Sequence, residues 1–194
     1  MTPKRISAAK SFVVELHGLT NEIEMLETMK NRTASTCFSI AQDHHAAMVL
    51  LIENTFYSSS FALLRSIFES YLRGLWLKHC ATEVQANEFF HGTEPPKTMI
   101  AEIEATPAFS GGVLSHITKE NWSTMCGFTH TGGLHLQRWQ SHNAVEPKFD
   151  EEELEECLNC AELFGAMAGL EQVQLKNSGD TGAGVLELMK KRWP

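Results

Sequence analysis

Apolar residues recur at helical spacing through the first ninety residues of the chain. Between residues 4 and 30 the apolar positions are Phe12, Leu16, Leu19, Ile23, Leu26 and Met29. A repeat of three to four residues, with acidic residues between the apolar ones, is typical of an amphipathic helix that buries one face. We therefore predict one helix over residues 4–30.

Two more helices are predicted in the same way, and the second of them is the most apolar segment of the chain. Residues 34–54 carry a mostly apolar stripe made of Cys37, Ile40, Ala41, His44, Met48 and Leu51. Residues 58–80 are apolar almost all round. Because such a helix must be covered by neighbours on most sides, we expect residues 58–80 to form the axis of a bundle.

Prolines and glycines divide the middle of the chain into shorter helices. A short amphipathic helix is predicted over residues 83–90, before Pro95 and Pro96, and the next one stops at Pro107. A further helix is predicted over residues 116–128. The segment that follows it, residues 129–147, is the least regular part of the chain.

The last third of the chain begins with a helix start signal. Asp150 is a good N-cap, with Glu153 three residues later, so we predict a long helix over residues 151–175. A loop is predicted over residues 177–184, then a last helix that ends in a solvated tail, residues 190–193. No segment favours a strand, and the sequence predicts an all-α, single-domain helical bundle of about six to eight helices over residues 1–194.

Composition and charge narrow the classes of protein to which the chain can belong. Acidic residues outnumber basic ones 24 to 16, and the net charge of -8 disfavours non-specific binding to nucleic acid. The longest unbroken apolar run, residues 46–52, is too short to cross a membrane, and no export signal is recognised at the start. Five cysteines without framework spacing suit a reducing compartment. We expect a cytoplasmic protein with reduced thiols and no membrane partner.

Three charged residues stand four residues apart on the apolar third helix. They are Arg65, Glu69 and Arg73, and this spacing allows the carboxylate to bridge both guanidinium groups. Because unpaired buried charge is costly, the three must neutralise one another or line a wet cavity. The sequence leaves open a structural ion-pair ladder, an arginine-lined anion pocket or plain surface exposure.

The stretch after residue 128 is a second candidate for chemistry. It combines Thr129, His130, Gln137 and Arg138 with two glycines that expose backbone N–H groups, as loops that bind anions do. The alternative is a kinked helix junction in which Thr129 and His130 satisfy buried backbone groups. His135 is expected at the surface.

Metal and redox chemistry are not favoured by the histidine and cysteine spacings. Adjacent His44 and His45 point to different helix faces, and His44 falls on the core stripe. Cys157 and Cys160 lie two turns into a helix, where core packing is the favoured interpretation. The small residues Ala161, Gly165, Ala168 and Gly169 indicate close approach of another helix, with a second subunit as one source. We predict no metal and no cofactor.

Three segments carry a resemblance to a known family. The segments, residues 60–69, 71–82 and 128–133, resemble a bacterial family of uncharacterised helical proteins over most of the chain. That family is distantly similar to HEPN-type domains, which include ribonuclease toxins and non-catalytic binders of nucleotides or small ligands, frequently as homodimers. The resemblance implies a HEPN-like helical fold, and we infer that residues 65–73 face Thr129 and His130.

The leading functional hypothesis is binding rather than catalysis. We expect a homodimer whose pocket holds a small anionic or nucleotide-like ligand. The residues expected to bind it are Arg65, Glu69, Arg73, Thr129, His130, Gln137 and Arg138. One alternative is a metal-independent ribonuclease acting on RNA, in which Arg73 stabilises phosphate charge and His79 or His130 moves the proton. Arg73 and His79 fit the Arg-x4-6-His pattern of HEPN ribonucleases. The other alternative is a protein-interaction module without a pocket, and the sequence leaves open whether the chain is an enzyme.

Overall fold

The computed structural model describes residues 1–21, 28–175 and 179–193. Within these ranges the chain forms nine α-helices and one 3₁₀ turn, Pro107–Phe109, and no strand beyond a single bridge between Gln140 and Val145. The helices are α1 (Pro3–Thr20), α2 (Met29–Glu53), α3 (Tyr57–His79), α4 (Glu83–Phe90), α5 (Met99–Glu104), α6 (Val113–Thr129), α7 (Gly133–Gln137), α8 (Glu151–Gln174) and α9 (Gly179–Arg192). The predicted all-α bundle is confirmed, and the helix beyond the predicted number is α7, a short helix in the segment that was expected to be irregular.

Helix α3 lies at the centre of the bundle, as its apolar sequence predicts. It packs against α2, α5, α6 and α8, and its side chains Ile67, Phe68, Tyr71 and Leu75 are fully buried. The most extensive of these helix contacts is the one with α2. It requires Gly74, because a Cβ atom there would lie 2.4 Å from Cε1 of Phe38 on α2. Only glycine permits this approach of the two backbones.

The predicted first helix over residues 4–30 is wrong at its end. Helix α1 ends at Thr20, and Asn21 has extended backbone angles. Thr28 then caps α2, with its side chain accepting from the amide of Asn31 at 3.1 Å, so Met29 belongs to the next helix. The cap interrupts a periodic pattern that continues through it. Ile23 and Leu26 lie outside the described residues.

The last part of the chain is also helical, which corrects the predicted loop, and the predicted solvated tail is exposed at Lys190 and Lys191 but packed at Arg192 and Trp193. Residues 179–184 belong to α9, while 177 and 178 lie outside the described part. Trp193 contacts the ring of Phe12 at 5.8 Å, and the Nε atom of Arg192 donates to Glu162 at 2.8 Å. Phe12 and Glu162 are distant from these residues in sequence. The local sequence shows only a run of positive charge, which is why it predicts a solvated tail.

The small residues of α8 are covered by helices of the same chain, not by a second subunit. A Cβ atom at Gly165 would lie 2.6 Å from Nδ1 of His45 on α2, and one at Gly169 would lie 2.8 Å from Leu16 on α1. His45 is 1% exposed, whereas His44, predicted on the core stripe, is half-buried. The stripe of α2 is therefore rotated by about one residue from the predicted one.

No helix among the described residues is long and apolar enough to cross a membrane.

Candidate functional site

The end of α6 is hydrogen-bonded to the second turn of α3, and this contact places His130. The hydroxyl of Thr129, the last residue of α6, lies 2.9 Å from the carbonyl oxygen of Met125 and 3.3 Å from that of Ala62 on α3. The helix stops there because Thr131 has a φ of +54°, in the left-handed region. His130 is thereby held beside α3, one residue past the end of α6.

Arg65 is the centre of a cluster that we call the Arg65 cluster, made of Arg65, Glu69, Trp122 and His130. Its Nε and Nη2 atoms lie 2.9 and 2.8 Å from Oε1 of Glu69, one turn along α3. Its Nη1 atom lies 2.7 Å from Nε2 of His130. Its guanidinium carbon lies 4.8 Å from the ring centroid of Trp122 on α6, a cation–π distance.

Some hydrogen-bond donors of the Arg65 cluster have no acceptor among the described contacts. A guanidinium has five N–H bonds and can only donate, so Nε2 of His130 is the acceptor and the neutral ring carries its proton on Nδ1. Glu69 and His130 take three of the five N–H bonds of Arg65. One N–H on each terminal nitrogen remains, and the side chain is 22% exposed. These two N–H bonds can bind an anion.

Arg73 does not join the predicted bridge through Glu69. Its Nη2 atom lies 3.2 Å from Oε2 of Glu94, which is 79% exposed, and its guanidinium lies 5.9 Å from the ring of Phe89. Among the described contacts, Glu69 pairs with Arg65 alone. The predicted Arg65–Glu69–Arg73 ladder is therefore wrong in its second half, because the segment after α4 supplies Arg73 with another acid.

Two other predicted site residues point elsewhere. Arg138, just after α7, forms an ion pair with Glu153 on α8, and Gln137 is exposed. His135, expected at the surface, is half-buried, and its ring lies 5.5 Å from that of Phe128. The structure thus brings Arg65, Glu69, Thr129 and His130 together and leaves Arg73, Gln137 and Arg138 outside.

Arg73 and His79, the residues of the ribonuclease hypothesis, each contact a different carboxylate. Nε2 of His79 lies 2.9 Å from Glu171 on α8, and its ring packs against Phe109 at 5.4 Å. Arg73 contacts Glu94 instead. In the described part of the chain these two side chains share no partner, which fits the 120° that a six-residue step leaves between them on a helix.

Sequence reasoning missed the most deeply buried ion group of the described chain. The carboxylate of Glu162 on α8 is 0% exposed, with Arg5 at 2.8 Å and Arg192 at 2.7 Å. Burial alone would lower the pKa of Arg5, but the hydrogen bonds that Arg5 donates to Glu162 and Glu155, together with the charges of these two carboxylates, outweigh it and raise that pKa. We call Arg5, Glu162 and Arg192 the terminal clamp. No spacing rule could join residues more than 150 positions apart.

The cysteines behave as packing residues. Burial raises the pKa of Cys37 to about 11 and that of Cys157 further, so neither forms a thiolate at neutral pH. Cys157 is buried, as predicted, whereas Cys160 is exposed. Across the ranges described, no three His, Cys, Asp or Glu side chains lie close enough together to hold a metal ion.

Comparison with known proteins supplies a family and no activity. No curated protein and no solved structure matches the chain. One family model, described as "Family of unknown function (DUF6988)", matches residues 38–191. The matched part includes the whole Arg65 cluster but leaves out α1 and Arg192. Because the match covers most of the sequence, the chain belongs to this family of unknown function.

Proposed function

We propose that the protein binds a small anionic ligand, of the phosphate or nucleotide type, at the Arg65 cluster. The proposal depends on one observation above all, the 2.7 Å contact between Arg65 and His130, which come from separate helices. Arginine is suited to phosphate and carboxylate because its parallel N–H bonds can bind two oxygens at once.

Support for the proposal comes from the partial exposure of the cluster. The Arg65 and Glu69 side chains are 22% and 27% exposed, so the ion pair is not sealed in the core. A sealed pair is what the hypothesis of an interaction module without a pocket requires. Glu69 and Trp122 hold the guanidinium in place, which lowers the entropy cost of binding an anion.

Titration calorimetry at low ionic strength tests the proposal, with inorganic phosphate and adenosine monophosphate as probes. Wild-type protein is expected to bind at least one of them saturably, and Arg65→Met is expected to weaken that binding about tenfold or more. The matched control is Lys190→Met, which removes one positive charge from an exposed side chain on α9. Absence of saturable binding, or equal loss in both variants, would overturn the proposal.

A further inference from the structure

The structure also contains a largely apolar cavity whose chemistry differs from that of the Arg65 cluster. Helices α6 and α8 both pack against α3, and a cavity of about 320 Å³ lies between their side chains. Its walls include the rings of Phe61, Phe128 and Phe164. Neither Arg65 nor His130 lines it. Its volume falls in the range of small-molecule sites.

The aromatic side chains that line the cavity pack against one another and against neighbouring aromatic rings. Phe61 packs against Phe128 with ring centroids 4.7 Å apart and against Phe149 at 5.0 Å, and Phe164 packs against Phe68 at 5.0 Å. These contacts fix the ring positions, so the cavity is held open by packed side chains. A flat apolar group would find a preformed surface there.

The charged residues that line this cavity are acidic. Glu153 and Glu156 both come from the first turns of α8, and Glu153 is neutralised by Arg138. Glu156 is exposed and has no ion-pair partner among the described residues. Glu156 also lies near the cavity residue Cys160, whose pKa is raised by burial and next by the charge of this carboxylate. An anion would be repelled.

We infer that the cavity binds a small aromatic cation, with its rings against Phe61, Phe128 and Phe164 and its ammonium group at Glu156. The aromatic faces favour a cation as well as an apolar ring. The unpaired carboxylate supplies a charge-assisted hydrogen bond at the entrance. This site is distinct from the Arg65 cluster and takes a ligand of opposite charge.

The test uses two probes that differ in one group, naphthalen-2-ylmethylammonium and its neutral analogue naphthalen-2-ylmethanol. Binding is measured by NMR titration of full-length protein. We expect the cation to bind about tenfold more tightly than the alcohol. Glu156→Gln should reduce this preference to less than about threefold and leave the affinity for the alcohol unchanged. Because Glu156 is exposed, the variant should fold normally.

Two further variants locate the site. Thr124→Trp, which fills the cavity from an exposed position on α6, should weaken both probes about tenfold or more. Arg65→Met should leave cation binding unchanged, just as Glu156→Gln should leave phosphate binding unchanged. The two sites can therefore fail separately.

Three results would overturn the inference. The first is equal affinity for the two probes, which would make the cavity a general apolar site. The second is binding that Thr124→Trp leaves intact, or no binding of either probe. The third is a dimer in sedimentation that Thr124→Trp dissociates, because a second copy of the chain would then fill the cavity.

Discussion

At the scale of single residues, His45 is the histidine that the structure buries most deeply in its described part. It lies between α2 and α8, with Phe12 at 6.0 Å, and its Nε2 atom has no partner among the described residues. Burial, and next the charge of Arg5, lower its pKa to about 4. The folded protein therefore keeps this ring neutral at a pH where the unfolded chain would protonate it.

The free energy of unfolding should fall as pH falls from 7.5 to 5, in part through His45. In the unfolded chain His45 takes up a proton below its ordinary pKa of about 6.5. In the folded protein the buried ring takes up that proton only near pH 4. This single group contributes about 2 kcal/mol to the loss between the two pH values. Urea unfolding of wild type and His45→Leu at both pH values measures it. A loss of the same size in both proteins would contradict the assignment.

The spacing of apolar residues predicts that a helix has a buried face. It locates that face only to within about one residue. The stripe on α2 is real, yet His45 rather than His44 faces the core. The difference is decided by Gly165, 120 residues away, which leaves room for one imidazole. A helix pattern read alone cannot include the shape of the helix that packs on it.

At the scale of elements, the close approach of α2 and α8 depends on Gly165. Gly165→Ala would place a methyl group 2.6 Å from Nδ1 of His45, so the buried imidazole or one of the two helices must move. We expect a loss of about 1–3 kcal/mol in the free energy of unfolding. Gly18→Ala on α1 is the matched control, because its Cβ meets nothing within 4 Å and alanine favours a helix. Urea unfolding curves of the two variants give the comparison; equal stability would mean that the crossing tolerates a methyl group.

Helix starts are the elements that local sequence predicts best. Asp150 and Glu153 form the predicted capping box of α8, with the amide of Asp150 donating to Glu153 at 3.1 Å. Asp150→Ala should lower the free energy of unfolding by about 1 kcal/mol, since the first amides of α8 lose their acceptor. Thermal unfolding beside Glu152→Ala, an exposed neighbour, measures the effect. A variant as stable as that control would show that the cap contributes nothing.

Prolines and capping residues mark most of the other helix boundaries. They can be recognised in the sequence because their effect on the backbone depends only on nearby residues. α4 spans the predicted residues 83–90, and Pro107 follows α5 as predicted. The end of α1 and the start of α9 were missed. Both ends adjoin residues outside the described ranges, and both helices are packed by residues far away in sequence.

At the scale of the whole molecule, the terminal clamp joins the two ends of the chain. Arg5 on α1 and Arg192 at the end of α9 both bind Glu162, which α8 holds in the interior. The family match includes Glu162 but neither arginine. Arg65, Glu69 and His130 of the candidate anion site could be singled out from the sequence, because the first two are one turn apart on one helix and the third lies in an unusual short segment. Trp122 of the same cluster could not, since nothing in its local sequence marks it. The clamp could not be predicted either, since it depends on tertiary packing.

Removal of the Glu162 charge should be among the most damaging single changes. Glu162→Gln leaves two guanidinium groups facing a neutral amide in the interior, at a cost of about 3–5 kcal/mol. Glu155→Gln is the matched control, because Glu155 binds Arg5 from a position that is 40% exposed. Equilibrium unfolding in urea compares them. If both variants lose the same small amount, the clamp does not hold the chain ends together.

The predicted homodimer and the single-domain extent stay predictions, and the central claim is the anion site at Arg65. Its most direct test is a long-range ¹H–¹⁵N spectrum of His130 during a phosphate titration. We expect a ring protonated on Nδ1 whose nitrogen resonances shift saturably in wild type but not in Arg65→Met. A ring protonated on Nε2, or resonances that phosphate leaves unmoved in wild type, would contradict it.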